Sequence, residues 1–186
     1  MANLQQKIKN KNGKIFTARS CQQQDVEEIK KFLQQVALES THTLVCKDRE
    51  LSLEKLKERS ELALKSPCEI YLGVFSETNI VGQLHFRVPS PDHPWIKHVG
   101  EFGMMIAAKH WGQGIGSELL EIMETFAKSI GISRIEAKVR MTNERGIALY
   151  KKRRYEIEGV RKKAAFINGH FEDEFFIAKL VANETN

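Results

Sequence analysis

Apolar residues recur along this chain with the two-residue period of strands in some segments and the 3.6-residue period of helices in others. The first 13 residues are polar and have no clear period, so we expect a flexible N-terminal arm over residues 1–13. The periods that follow predict a strand at 14–19, a helix capped by Asp25, a helix from Ser52 that Pro67 ends, and strands at 69–75 and 80–88.

The second half repeats this alternation around the most regular amphipathic helix of the chain. Its periods predict strands at 97–106 and 134–140, helices at 114–130 and 143–152, and last strands at 155–158 and 171–180. Asn168 and Gly169 form a pair that favours a tight hairpin turn. The order of elements is typical of an α/β fold, a mixed sheet with helices on both faces. We predict one such domain over residues 14–182.

Composition narrows the class of protein. The chain has 186 residues, 41% hydrophobic and 28% charged, which is ordinary for a globular domain. No apolar run reaches the roughly 20 residues that span a bilayer, and the N-terminus lacks the apolar stretch of a signal peptide. We therefore expect a cytoplasmic protein without a membrane partner. The three cysteines form no C-x-x-C pair and no His-x-x-x-His pair occurs, so we expect neither disulfides nor a metal.

The net charge of +5 favours an anionic partner. Basic residues are dispersed except in two runs, 151–154 and 161–163. No zinc-finger, helix-turn-helix or RNA-binding pattern accompanies these runs, so nucleic acid is not the expected partner. The runs are either a solvated surface or part of a groove for a phosphate-rich cofactor.

The most informative segment, residues 110–117, is rich in glycine and lies between a predicted strand and the amphipathic helix. It reads HWGQGIGS. Absent side chains let backbone N–H groups approach a phosphate, and a helix start adds unpaired donors and a favourable dipole. A Walker loop would continue with Lys-Ser or Lys-Thr, and a dinucleotide fingerprint would follow the first strand of the chain. Neither holds, so the segment indicates a pyrophosphate site of another class, with a turn made only for packing as the alternative.

At this point the chain resembles the GNAT acetyltransferases. Residues 111–116 are similar to their cofactor loop, [Gln/Arg]-x-x-Gly-x-[Gly/Ala], with Trp111 in the first place, a form similar to the branch that acetylates ribosomal-protein N-termini and polyamines. A second match is Asn143 with Tyr150 seven residues on, about two helical turns along one face. Arg154 stands where the family has a glycine, so this helix ends either with a strained positive φ or with a different exit.

The resemblance implies a mixed, mostly antiparallel central sheet of about seven strands flanked by about four helices. It also implies that acetyl-CoA is the co-substrate and a primary amine the acceptor, with no metal. Tyr150 would be the general acid beside the thioester sulfur, and the main chain of Met105 and Ile106 would supply the oxyanion donor. The implied cofactor-binding residues are Met105, Ile106, Trp111, Gly112, Gln113, Gly114, Ile115, Gly116, Ser117, Asn143 and Lys152.

Glu101 is the first candidate for a general base. An alkyl amine has a pKa near 10 and arrives mostly as ammonium, so a base is useful. Glu101 projects from its predicted strand on the face opposite Phe102 and Met104, where a carboxylate indicates a cleft. A general base, an acid that binds a cationic substrate, and a solvent-facing residue all remain open. The weaker candidates are His85, His93 and His98.

Two other functions stay open at this point. One is a catalytically silent acyl-CoA-binding regulatory module, and the other is a nucleic-acid or ribosome-associated protein that uses the basic runs. Specificity for the acceptor is expected from residues 42–49, 89–94 and 161–169, none of which carries a motif that names it. The resemblance leaves a homodimer open as well.

Overall fold

The computed structural model describes residues 3–46 and 50–181, and these form two compact units. The described residues of the first unit come from 1–87 and 104–119, and those of the second from 88–103 and 120–186. The elements up to residue 87 are β1 (Gln5–Lys9), β2 (Ile15–Ser20), α1 (Val26–Glu39), α2 (Leu53–Lys65), β3 (Glu69–Ser76) and β4 (Asn79–Arg87). The later elements are β5 (Val99–Ile106), α3 (Ile115–Ser129), β6 (Arg134–Arg140), α4 (Glu144–Lys152), β7 (Glu156–Ile167) and β8 (His170–Leu180).

The first unit contains four strands that pair antiparallel in chain order, β1 to β4. Helices α1 and α2 form beside them because their apolar residues keep the helical spacing, as Ile29, Leu33 and Val36 do in α1. These side chains pack in one buried cluster with Leu56 of α2 and Tyr71 of β3. Both helices and the last three strands of this unit agree with the prediction from the apolar periods.

The start of α1 differs from the expectation in one detail. Asp25 precedes the helix, but its carboxylate binds the guanidinium of Arg19 through contacts of 2.6 and 2.7 Å and accepts from the amide of Gln22 at 2.8 Å. Asp25 therefore makes no side-chain cap bond to α1 within the described chain. Helix α2 begins as predicted, with Ser52 accepting from the amide of Lys55 at 3.4 Å.

Residues 1–13 contain a strand where the sequence suggested a flexible arm. β1 pairs antiparallel with β2 and buries Ile8. The turn that joins the two strands, residues 10–14, contains Asn10 and Gly13, and the glycine takes a φ of +83°. The apolar period missed β1 because a strand with one inward-facing apolar residue has no period to read.

The second unit holds the parallel pair of the fold. β5 lies parallel to β6, with Glu101 opposite Glu136 in their register. β6 pairs antiparallel with β8, and β8 pairs antiparallel with β7. Asn168 and Gly169, at φ of +50° and +83°, form the predicted hairpin turn between β7 and β8.

Strand β7 is longer than the predicted residues 155–158. Its pairing with β8 shifts register between Arg161 and Ala165 and then resumes, so the strand continues to Ile167. Lys163 lies inside the shift with a φ of +50°. Most of β7 is exposed, and an exposed strand lacks the apolar alternation from which its length could be predicted.

The predicted fold class is confirmed, with a mixed, mostly antiparallel sheet and helices. Residues 3–46 and 50–181 contain eight strands, where about seven were expected, and four α-helices as expected. No helix in this described part is long and apolar enough to cross a membrane. A single domain over 14–182 stays a prediction.

Candidate active site

The glycine-rich segment forms a loop that is fastened to the end of β5 and to α1. The indole Nε1 of Trp111 donates to the carbonyl of Ile106 at 2.7 Å. The carboxylate of Glu39 accepts from the amide of Ala108 at 2.7 Å. Trp111 stands where the resemblance has Gln or Arg, and in this chain its side chain holds the loop against the strand. The sequence does not predict this contact of Glu39, because Glu39 lies about 70 residues away in the chain.

Two glycines of the loop have left-handed backbones. Gly112 has a φ of +71° and Gly114 has a φ of +94°, a region that side chains with a Cβ rarely adopt. Around Gly112 there is also open space, because an added Cβ would meet nothing within 4 Å. The segment therefore needs glycine for its path, and glycine leaves the backbone accessible.

The amides at the start of α3 are the main chemical feature of the first unit. Within the described residues, the amides of 112–116 donate to no protein acceptor. Ser117 was expected to supply a sixth free amide. Its amide instead donates to the carbonyl of Gly114 at 2.9 Å and is not free. A helix start carries partial positive charge, and free amides there are suited to an anion such as a diphosphate.

Gln113 holds the loop with its side chain. Its Oε1 accepts from Nδ2 of Asn10 at 2.8 Å and its Nε2 donates to the carbonyl of Lys109 at 2.7 Å. Its own carbonyl accepts from the amide of Lys11 at 2.9 Å. The side chain of Gln113 is therefore committed to the protein, and only its main-chain amide remains for a ligand.

Asn143 begins α4 in the second unit. Its Oδ1 accepts from the amide of Gly146 at 3.0 Å, which is the bond of a helix cap. The glycine is needed there, because a Cβ on residue 146 would lie 2.6 Å from Nδ2 of Asn143. Nδ2 has no acceptor among the described residues, so it is the donor left for the predicted contact with a cofactor.

Tyr150 lies on α4 in a buried aromatic cluster. Its ring meets Phe102 at 5.7 Å and Tyr155 at 5.8 Å between centroids, both near edge-on. Burial raises the pKa of Tyr150 to about 12. The phenol is therefore protonated at neutral pH, as a proton donor must be, and its hydroxyl has no hydrogen-bond partner within the described residues.

The end of α4 shows which of the two expected conformations Arg154 takes, a strained positive φ or a different exit. Arg154 has a φ of +65°, so it takes the strained left-handed conformation. The amide of Tyr155 donates to the carbonyl of Tyr150 and that of Arg154 to Lys151, both at 2.9 Å. This is the hydrogen-bond pattern of a Schellman motif, in which glycine is the usual residue.

A buried ionic cluster lies next to this exit. Glu124 of α3 is 7% exposed, and its Oε2 accepts from Arg153 at 2.8 Å and from Lys179 of β8 at 2.7 Å. The sequence does not predict this cluster, because Glu124 is indistinguishable there from the exposed glutamates of the same helix. The cluster fixes the end of α4, directly after Tyr150 in the chain.

Comparison with known proteins decides the family. A family profile described as the Acetyltransferase (GNAT) family matches residues 34–155. The chain belongs to this family. The match includes the glycine loop, Asn143 and Tyr150, which carried the resemblance in the sequence.

The chain is similar to two proteins of Escherichia coli (strain K12). The L-amino acid N-acetyltransferase AaaT is 32% identical over 103 residues, which are 55% of this chain and 62% of that protein. The ribosomal-protein-serine acetyltransferase is 25% identical over 112 residues, 60% of each protein. The chain thus spans about 60% of the length of these relatives. A solved GNAT-family acetyltransferase from Streptococcus pneumoniae has a TM-score of 0.83 and 27% identity, and the match covers 90% of this chain and 99% of that one.

The remaining candidate residues of this GNAT chain differ in burial and in bonding partners. Glu101 is half-buried on β5 in the second unit. His85 of β4 bonds Glu69 through Nε2 and Arg59 through Nδ1, and burial together with the Arg59 charge lowers its pKa. The exposed residues among the candidates are His93, His98 and Lys152. Within the described residues, no group of three or more His, Cys, Asp or Glu side chains is arranged to hold a metal ion.

Proposed function

We propose that this chain transfers an acetyl group from acetyl-CoA to a primary amine of a small molecule or a protein N-terminus, by direct attack in a ternary complex. The observation that carries the proposal is the set of free amides at 112–116, which suits the coenzyme diphosphate. Family membership supports the same coenzyme. Cytoplasmic location and a lack of nucleic-acid partners stay predictions from the sequence.

Different residues of the chain would bind the coenzyme and stabilise the oxyanion of acetyl transfer. Bound acetyl-CoA would supply an activated acyl group, and the amides at 112–116 would hold its diphosphate. Nδ2 of Asn143 would donate to the pantetheine arm, with Lys152 as a further contact. The main chain of Met105 and Ile106 would supply the donor that stabilises the developing oxyanion.

Two side chains would handle protons. Glu101 would accept the proton that the ammonium form of the acceptor must lose before it can attack. Tyr150 would donate its phenolic proton to the departing sulfur, a role that agrees with a buried phenol that stays protonated at neutral pH. Both roles are assigned from the resemblance and from the surroundings of each side chain.

The experiment is a measurement of free-thiol release from acetyl-CoA with a panel of amines. The panel starts with amino acids and ribosomal-protein peptides, after the names of the relatives. It adds protein N-terminal peptides and polyamines, which the sequence resemblance implies. The proposal expects release well above the amine-free rate for at least one acceptor, with the acetylated product seen by mass spectrometry. Binding of acetyl-CoA without release for any amine would instead indicate the silent regulatory module.

A further inference from the structure

The turn between β1 and β2, residues 10–14, contacts the glycine loop of the same unit. We call it the N-terminal turn. Asn10 is only 5% exposed and forms the centre of the contact. Its Oδ1 accepts from the amides of Asn12 and Lys14, at 3.0 and 2.9 Å, and its Nδ2 donates to Gln113 at 2.8 Å. A buried asparagine that closes its own turn and also holds the loop is a specific link between the two.

Lys11 adds a second link. Its amide donates to the carbonyl of Gln113 at 2.9 Å. Its Cγ lies so close to Gly114 that an added Cβ there would be 3.5 Å away. The first carbons of the Lys11 side chain therefore lie beside Gly114, next to the free amides of the loop.

Three lysines lie around the loop, and one of them, Lys14, places its Nζ 5.3 Å from the ring centroid of Phe16. Lys11, Lys14 and Lys109 are exposed and form no ion pair within the described residues, whereas Lys31, Lys65 and Lys179 each pair with a glutamate. Burial, and after it the positive charges of Lys109 and Lys14, lowers the pKa of His110, which lies in the loop. Three exposed lysines beside free amides indicate a polyanionic ligand.

We propose that the N-terminal turn is a wall of the coenzyme site, with Asn10 as a positioning residue and Lys11 as a phosphate-binding residue. Asn10 acts through Gln113 and holds the amides of 112–116 in the conformation that binds the diphosphate. Lys11 contributes a cation to a phosphate group of the coenzyme. This inference rests on the proposed function, because it names residues that complete the same site.

The test measures binding of coenzyme A and of 3′-dephospho-coenzyme A by calorimetry, with no acceptor present. Lys11→Ala is expected to weaken coenzyme A binding about tenfold, since a hydrogen bond to a charged group is lost. The matched control is Lys7→Ala, which removes the same charge from an exposed site on β1 and should leave the Kd within about twofold. A loss that vanishes with 3′-dephospho-coenzyme A assigns Lys11 to the 3′-phosphate, and one that persists assigns it to the diphosphate.

The positioning role of Asn10 is tested from both sides of the contact. Asn10→Ala and Gln113→Ala each remove the side-chain clamp and keep the main-chain amides, and each is expected to weaken coenzyme A about tenfold. The double variant should lose less affinity than the sum of the two single losses, because both single variants break the Asn10–Gln113 contact. If Asn10→Ala fails to fold, Gln113→Ala carries the test alone.

Several outcomes overturn the inference. Lys11→Ala with the affinity of wild type removes the phosphate-binding role, and folded Gln113→Ala with unchanged affinity removes the positioning role. A loss for Lys11→Ala that Lys7→Ala reproduces would mean a general charge effect and also removes Lys11. Failure of the wild-type chain to bind any coenzyme would instead contradict the proposed function itself, so the two failures are told apart.

Discussion

The starts of α3 and α4 differ in how their first amides are used. At α4, Asn143 caps the helix, and the last carbonyls at the other end are satisfied by the amides of Arg154 and Tyr155. At α3, a glycine loop leaves the amides of 112–116 without a protein acceptor in the described chain. A helix that serves only stability closes its ends, since an N-cap contributes about 1 kcal/mol.

The start of α3 lacks the stabilising cap of α4 and keeps its amide donors for a ligand. The α3 loop is held through atoms that are not amides of 112–116, namely the side chains of Trp111 and Gln113 and the carbonyl of Gln113. Its shape is therefore fixed while its donors stay open, which is the preorganisation that anion binding needs. The α4 segment uses its groups internally, apart from Nδ2 of Asn143 and the hydroxyl of Tyr150.

A change to the glycine loop at the start of α3 should have the largest effect, on coenzyme affinity. Gly114→Val places a β-branched residue at a φ of +94°, which forces the loop to another path. Loss of two amide bonds to phosphate, at about 1.5 kcal/mol each or more, weakens coenzyme A roughly a hundredfold. Calorimetry measures the change.

The matched control for Gly114 is Gly131→Val, which imposes similar backbone strain at φ of +81° beyond the other end of α3. It should lower the melting temperature and keep the affinity. Equal affinities for the two variants would contradict the role of the loop.

The second-largest effect is on stability and concerns the ionic cluster of Glu124 at the end of α4. Glu124→Gln removes the buried charge shared by Arg153 and Lys179, and removal of one partner of a buried pair costs about 3 kcal/mol. Glu158→Gln is the control, because its pair with Arg134 is exposed and worth at most about 1 kcal/mol. Urea unfolding compares the two. Similar midpoints for both variants would show that the cluster does not fix the end of α4.

The third effect separates chemistry from binding. Tyr150→Phe is expected to lower kcat about tenfold or more with coenzyme affinity kept, because the variant loses a proton donor and nothing that holds the coenzyme. With a pKa of about 12, Tyr150 stays protonated over the usual assay range, so the loss should be the same at about pH 6 and about pH 9.

The control for Tyr150 is Tyr155→Phe, its neighbour in the same aromatic cluster. Tyr155→Phe keeps the ring in the cluster and removes only a buried hydroxyl near Glu124, so it should leave kcat within about twofold. Unchanged turnover in Tyr150→Phe would remove Tyr150 from the general-acid role.

The smallest effect concerns the exit of α4. Arg154→Gly relieves the left-handed strain at φ of +65° and is expected to stabilise the chain by about 1 kcal/mol. A chain of this size then gains about 2–4 °C in melting temperature. A lower melting temperature would mean that the arginine side chain contributes more than its backbone strain costs.

The sequence could predict the features that depend on residues close together in the chain. The helix periods, the periods of the strands with a buried face, the hairpin at Asn168 and the glycine loop all depend on neighbouring residues, and these were found, whereas β1 and most of β7 were not. Contacts between distant segments could not be predicted. Asn10, which holds Gln113, and Glu39, which binds the loop, carry no local sign of their partners.

A cue for the N-terminal turn was nonetheless in the sequence. Asn10, Asn12 and Gly13 form a cluster of turn residues, and such a cluster between two short segments indicates a hairpin. The polar character of the flanking residues led instead to the expectation of an arm. The buried role of Glu124 had no comparable cue, because its partners come from two other elements.

The amides of 112–116 are the groups that we propose bind the diphosphate of the coenzyme. The most direct measurement is the ¹H–¹⁵N spectrum of the chain during titration with coenzyme A. We predict that the largest downfield amide shifts fall on residues 112–116, and that Gly131, in the same titration, does not move. Shifts centred elsewhere, with the five loop amides unmoved at saturation, would contradict the account.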